Sequence, residues 1–312
     1  MCFTAEGRHL VQQAVRDTGA SRSIEWPTMA LAGVIYAGWL LLTAVHAWLP
    51  APVVIAAGAW LIAWHGSLQH ETIHGHPTRW RRINALIGGV PLALWLPFAC
   101  YRRDHIAHHA TDHVTDPLRD PESRYARRAT GMRGRIRLAL TAAQAPLLGR
   151  LLLGPAVVIG GFLAGEVRRA VTSPAIVLRD WSVHLLGVVA ILAWLRLCGM
   201  GIGSYLLIVY AGTSLTLLRS FAEHRAAPVS DHRVAVVEQA GLFGILFLHN
   251  NLHAAHHRAP ALPWYALPRF YADHRTDLLH HNGGLLYRGY GEVFRRYALR
   301  PHDVLVHPDH AH

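Results

Sequence analysis

The chain has 312 residues, 52% of them hydrophobic and only 16% charged, with a net charge of +11 carried entirely by arginine. That is too apolar for an ordinary soluble domain of this length, and it turns the basic excess toward an anionic membrane surface rather than nucleic acid. Three scattered cysteines, Cys2, Cys100 and Cys198, with no C-x-x-C, exclude a disulfide framework and a thiolate iron–sulfur site.

The N-terminal stretch to Pro27 is polar and lacks the apolar core and cleavage site of a secretory signal, so insertion falls to the first spanning helix. Residues 28–49 and 51–69 are almost free of charge and read as a spanning hairpin turned at Leu49-Pro50-Ala51-Pro52. Residues 83–100 are apolar but broken by Gly88, Gly89, Pro91 and Pro97, which predicts an interfacial or re-entrant segment. Residues 124–137 carry six arginines and are expected at the head groups. Residues 138–165 are apolar but hold Gly149, Arg150 and Pro155, and are read as in-plane or partly buried. Residues 181–218 are long enough for a second hairpin, folded at Gly199–Gly203. Beyond Arg219 the chain is mostly polar to its end, a histidine-rich cap over 219–312. The terminal His-Pro-Asp-His-Ala-His reads as a frayed tail.

The expected class is therefore an all-α integral membrane protein, one domain of about four transmembrane helices in two hairpins plus interfacial helices and the cap. Nearly all the arginines between spans fall on the side of the hairpin ends, which the positive-inside rule makes cytoplasmic. The histidine clusters fall on that same face.

Two of those clusters share one pattern, H-x-x-H-H: His105-Ile-Ala-His108-His109 and His253-Ala-Ala-His256-His257. With 24 histidines in the chain, chance would place about 0.14 copies. A third cluster, His70-Glu-Thr-Ile-His74, precedes them, and His224 follows the last span. On a helix, positions i, i+3 and i+4 share a face, so each H-x-x-H-H is expected to present three imidazoles to one side. Imidazole binds metal while uncharged and is the commonest metal ligand. Two, three, one and three make nine nitrogen donors, too many for one ion. They suit two octahedral metals with roughly three of twelve positions left open for chemistry.

At this point the chain resembles the membrane fatty-acid desaturase superfamily of histidine-box di-iron desaturases and hydroxylases, in its bacterial form. The likeness rests on the three boxes, their order, and the extra histidine between the second and third. It extends to His74-Gly-His76-Pro-Thr, to Thr115-Asp-Pro-Leu-Arg-Asp-Pro-Glu-Ser123, and to the run from Asn251 through His257 to Leu262-Pro-Trp-Tyr265. The resemblance implies as ligands His70, His74, His105, His108, His109, His224, His253, His256 and His257. His249 is a candidate alternate ligand or neighbour, and His76 a hydrogen-bonding neighbour. Asp104, Asp112, Asp116 and Glu223 are candidates to accept the second imidazole N–H and fix the tautomer. The resemblance further implies two non-haem irons and O2 as co-substrate, a lipid or lipophilic substrate, and a position in the bacterial cell membrane. No ferredoxin cysteine run, nucleotide-binding glycine turn or cytochrome motif is found, so electrons would come from a separate ferredoxin or small cytochrome.

The expected reaction is acyl-lipid desaturation, with hydroxylation of an alkyl chain as the alternative. Two rivals come from the residues themselves. His70-Glu71-x-x-His74 is also the H-E-x-x-H of zinc proteases, but that reading leaves both H-x-x-H-H boxes idle. A metal transporter would place its donors near the bilayer midplane, whereas these sit at or past helix ends.

Overall fold

The computed structural model describes residues 24–128 and 131–310, so the N-terminal stretch to Ser23 lies outside the described residues. The described residues form twelve α-helices and one two-stranded sheet. Contacts divide them into two compact units: Asp104–Leu153 with Leu217 onward, and Ile24–Arg103 with Gly154–Thr216.

The second unit holds most of the apolar helix. α1 (Trp26–Val45) and α2 (Ala51–Ile73) each start with proline in the first turn, where the missing N–H costs no helical hydrogen bond. A 3-10 turn over His46–Trp48 and the dipeptide Leu49-Pro50 reverse the chain between them. The short α3 (Arg81–Gly88) and the turns up to Pro97 replace any span across the Gly- and Pro-broken stretch. α4 (Phe98–Ala110) then begins. α5 (Gly131–Ala143) and α6 (Leu147–Thr172) follow, the latter with Pro155 inside it. α7 (Pro174–Leu197) ends at Gly199, whose φ of +72° closes the C-terminus as glycine readily can. α8 (Ile202–Glu223) completes the set.

In lipid, helices gain little from hydrophobicity against one another, so they pack through small residues and hydrogen bonds. Both devices appear between α2 and α8 and around them. A Cβ on Gly58 would meet Ile208 at 2.6 Å, and one on Gly212 would meet Ile62 at 2.6 Å. Trp39 Nε1 donates to the Tyr205 hydroxyl (3.0 Å), which donates to the Leu92 carbonyl (2.6 Å). Trp194 Nε1 donates to Thr43 Oγ1 at 2.9 Å.

Among the described residues five helices are long and apolar enough to cross a membrane: α1 with its 3-10 extension, α2, α6, α7 and α8. One more than the sequence suggested, the addition is α6, within which most of the stretch read as in-plane or partly buried lies. His108 and His224 have ring centroids only 4.9 Å apart and so lie on one side of any bilayer. Between them the chain holds α6, α7 and α8. A chain returning to its starting side crosses an even number of times, so these three do not all cross. The five span-length helices make at most four crossings.

In the first unit, β1 (Val236–Val237) pairs in parallel with β2 (Leu286–Tyr287). α9 (Leu242–Leu246), α10 (His253–Arg258), α11 (Leu267–His281) and α12 (Tyr290–Tyr297) surround it. Its core includes Val114, Val236, Leu252, Leu262, Phe270 and Leu278. The tail is not frayed through His310. His307 is fully buried, with Nε2 on Thr115 Oγ1 at 3.0 Å, and His310 reaches Asp116 at 3.0 Å. These side-chain partners lie about 190 residues away in sequence, where no local pattern shows them.

Candidate metal centre

Three segments of the first unit bring seven imidazoles together. α4 supplies His105, His108 and His109. His224 follows α8 and bridges to Val234. α10 supplies His253, His256 and His257. The stretch around β1 holds the second and third sources side by side. The Ala235 N–H donates to the Glu223 carbonyl (2.8 Å), the Val237 N–H to the Asn251 carbonyl (2.8 Å), and the Ala254 N–H to the Ala235 carbonyl (3.1 Å). Asn251 adds a side-chain bond to the Val237 carbonyl at 2.7 Å.

The two H-x-x-H-H boxes do not each point three imidazoles one way. His108, His224, His253 and His257 form one group, each offering a nitrogen within 4.8 Å of the others. His105, His109 and His256 offer nitrogens that also lie within 4.8 Å of one another. The i and i+4 residues of each box stay together, and the i+3 residue goes to the other group. Helix geometry explains the split: i and i+4 differ by 40° around the axis, and i+3 lies 60° to the opposite side of i. Each box therefore serves both groups, two imidazoles to one and one to the other. The groups adjoin, with His109 and His257 stacked at 4.6 Å between centroids.

The nitrogens fit a cation. Nε2–Nε2 separations are 3.3 Å for His108 and His257, 2.9 Å for His253 and His224, 3.1 Å for His257 and His253, and 3.2 Å for His256 and His109. On four of the seven rings the opposite nitrogen faces oxygen. His108 Nδ1 meets Asp120 at 2.8 Å, His105 Nδ1 meets Glu122 at 2.9 Å, and His224 Nδ1 meets the Arg233 carbonyl at 3.3 Å. His253 Nδ1 meets Asn250 Oδ1 at 3.1 Å and Glu223 at 3.4 Å. An oxygen partner places the hydrogen on Nδ1 and leaves a lone pair on Nε2. Converging lone pairs repel one another unless a positive ion lies among them.

Burial keeps most of these rings neutral. It pushes His224 down to about 3 and His253 and His257 well below the ordinary imidazole range, with the neighbouring imidazoles adding to the effect. Burial lowers His109 to about 2. Burial lowers His108 as well, but Glu122 and Asp120 outweigh it and raise the ring to about 9, so a cation would bind there by displacing a proton. Neutral imidazole is the form that ligates.

The remaining sequence-derived candidates divide. In the second unit, His70 and His74 end α2 one turn apart, with centroids 4.8 Å from each other. His76 Nδ1 bonds Glu25 at 2.6 Å as a hydrogen-bonding neighbour. Glu223 joins the first imidazole group, held by Arg219 (3.1 Å) and by the Asn250 amide (3.1 Å). Asp116 instead accepts from the Leu118 N–H (2.8 Å) and pairs with His310. Asp104 is half-buried, and Asp112 is exposed, with its carbonyl taken by Ser230. His249 belongs to neither group and stacks on Trp264 at 5.9 Å. Leu248 and His249 have positive φ and α10 starts only at His253, so no helical face connects His249 to His253. Asp120, Glu122 and Asn250 were not foreseen. The first two lie inside the singled-out Thr115–Ser123 phrase, the only sequence signal pointing to them.

Glu122→Ala removes the carboxylate that meets His105 Nδ1 and that also raises His108. Metal affinity of the His105 group is expected to fall about 10- to 100-fold in a chelator competition, with the fold retained. Unchanged affinity would show the carboxylate to be idle.

The described architecture and these imidazoles define a class, the all-α membrane protein with a histidine-rich metal site. The profile of the fatty acid desaturase family matches residues 46–289, a span that includes all nine predicted ligands. The chain belongs to that family. A search of curated proteins returned no match. Membership carries oxidoreductase activity in general terms, on lipid and with a separate electron donor.

Proposed function

We propose that this protein is a non-haem di-iron, O2-dependent enzyme that introduces a double bond into a fatty acyl chain, most simply an acyl-lipid. The observation that carries the reading is the sharing of both H-x-x-H-H helices between two adjoining groups of imidazole nitrogens. His108, His224, His253 and His257 would hold one iron. His105, His109 and His256 would hold the other, with His70 and His74 assigned to it by the family resemblance. Bound iron with O2 supplies the power to remove hydrogen from an unactivated C–H bond, which no side chain has. The protein's own share is placement. Asp120, Glu122, Asn250 and the Arg233 carbonyl fix ring orientation, and the buried position of the rings excludes water.

The arginine distribution favours a cytoplasmic site in a bacterial cell membrane, and a ferredoxin or small cytochrome would deliver the electrons. Hydroxylation on the same scaffold is the second reading. Lipid profiling of cells expressing the chain, against a His108→Ala His109→Ala control, separates them. New unsaturated acyl chains absent from the control are expected, hydroxylated chains would favour the second reading, and no difference would refute both.

The same reading places α6 along the membrane surface, as the helix that does not cross. Near its N-terminal end Arg150 is buried in the first unit against Gln144. Toward its other end Glu166 pairs with Arg103 of α4 at 3.6 Å, on the helix that carries His105, His108 and His109. With Cys2, Cys100 and Cys198 replaced, Thr172→Cys and Asp273→Cys are expected to react with an impermeant maleimide from the same side of membrane vesicles. Labelling from opposite sides would make α6 a span.

A further inference from the structure

The first unit contains a second polar site, apart from the imidazoles. A cavity of about 30 Å³ is lined by Arg124, Tyr125, Thr141, Gln144, Arg150 and Asp303, among others. Its two guanidinium groups have one carboxylate between them, and that carboxylate is committed elsewhere. Asp303 accepts from the Tyr125 hydroxyl and from the Ala226 N–H (3.0 Å), and it lies 3.9 Å from Arg124. Arg124 is otherwise well supplied, donating to the carbonyls of Phe221 (3.1 Å) and His224 (3.2 Å) and to His302 Nδ1 (2.6 Å).

Arg150 is not. It is only 9% exposed, its NH1 donates to the neutral Gln144 Oε1 at 2.9 Å, and its buried Nε has no hydrogen-bond partner. Among the described residues no carboxylate pairs with it. A buried guanidinium without a counter-charge is costly, and a bound anionic group would offset that cost. The fork of a guanidinium matches the two oxygens of one anionic group, and the cavity has room for about two waters or such a group.

We propose that the Arg124–Arg150 cavity is a binding site for a single oxyanion group, a carboxylate or phosphate, with Arg150 as its principal partner. The group has two sources, a free anion or a lipid head group at the membrane surface. The site does not depend on the reaction proposed above. Through Arg124 it touches the carbonyl of His224, so an occupant would steady the turn that carries that imidazole.

The test uses the full chain with its metal, purified into phosphatidylcholine nanodiscs. Acetate and phosphate are titrated separately at an ionic strength held constant with sodium chloride, and the unfolding midpoint is followed. A parallel arm replaces a fifth of the lipid with phosphatidylglycerol, with no added oxyanion. A saturable rise of about 2 °C or more in either arm is expected for the wild type. A rise in the first arm identifies a free anion, and a rise confined to the second identifies the head group. Gln144→Glu places a carboxylate where Gln144 Oε1 now meets Arg150. It is expected to match or exceed the wild type's stability without anion and to lose the response, and Arg150→Met is expected to lose it too. A flat wild type in both arms, or a Gln144→Glu protein that responds as the wild type does, overturns the proposal.

Discussion

His257→Ala is expected to abolish product formation, a loss of at least about 1,000-fold, and to leave at most one firmly held iron per chain. His257 Nε2 lies 3.3 Å from His108 Nε2 and 3.1 Å from His253 Nε2, so its removal breaks two of the contacts that define one group. Its ring also stacks on His109 of the adjoining group, so some disturbance should cross to the second ion. An open-sited metal tolerates no lost protein ligand without a change in affinity or geometry. Two readouts are needed together: iron per folded chain by elemental analysis, and product by lipid profiling. A variant that keeps two irons and full activity would remove His257 from the site. The wild-type measurement also separates the rivals, since two irons support the oxygen enzyme, one zinc the protease, and variable occupancy a transporter.

Arg233→Met is expected to destabilise the first unit by about 3 kcal/mol, while iron per folded chain stays at the wild-type value. Arg233 is 2% exposed and ties three distant segments together. Its Nε donates to the Ala227 carbonyl at 2.7 Å, its NH1 to the Val114 carbonyl at 3.0 Å, and its NH2 reaches Asp309 at 3.2 Å. Methionine nearly matches the stem but strands two buried carbonyls, each at its own desolvation cost, and forfeits the ion pair with the exposed Asp309. A drop of at least about 6 °C in the unfolding midpoint of the detergent-solubilised protein would follow. A midpoint within 1–2 °C of wild type would mean that water replaces the guanidinium without penalty. The contrast with His257→Ala is diagnostic: one variant should lose metal and keep its fold, the other should lose stability and keep its metal.

Much of the site was legible because its chemistry is local. Two helical boxes of the same histidine pattern, each within five residues, announce metal binding wherever they end up. The apolar runs were legible for the same reason: a stretch near 20 residues without charge has few other uses. What failed to show had partners far along the chain or depended on local backbone. His249 looked like an extension of the third box, but a positive φ breaks the helical periodicity on which that reading relied. Asp116 and Asp120 are the same residue type four positions apart, yet only Asp120 meets an imidazole of the two groups, because the loop after α4 folds back on itself. The tail looked frayed because its anchors, Thr115 and Asp116, lie far away in sequence. α6 is apolar enough to cross by composition alone, and only the closeness of His108 to His224 limits how many of the last three long helices do so.

Residue types and their spacing alone determined that this is a helical membrane protein rich in clustered imidazoles, because hydrophobic length and helical period are properties of short stretches. Only the tertiary structure decided how each box divides between two groups of nitrogens, which oxygens meet the opposite nitrogens of His105, His108, His224 and His253, and where an arginine has no carboxylate partner among the described residues. Those depend on which side chains meet across turns of the chain, and contacts between residues 100 or more positions apart leave no periodic trace in sequence.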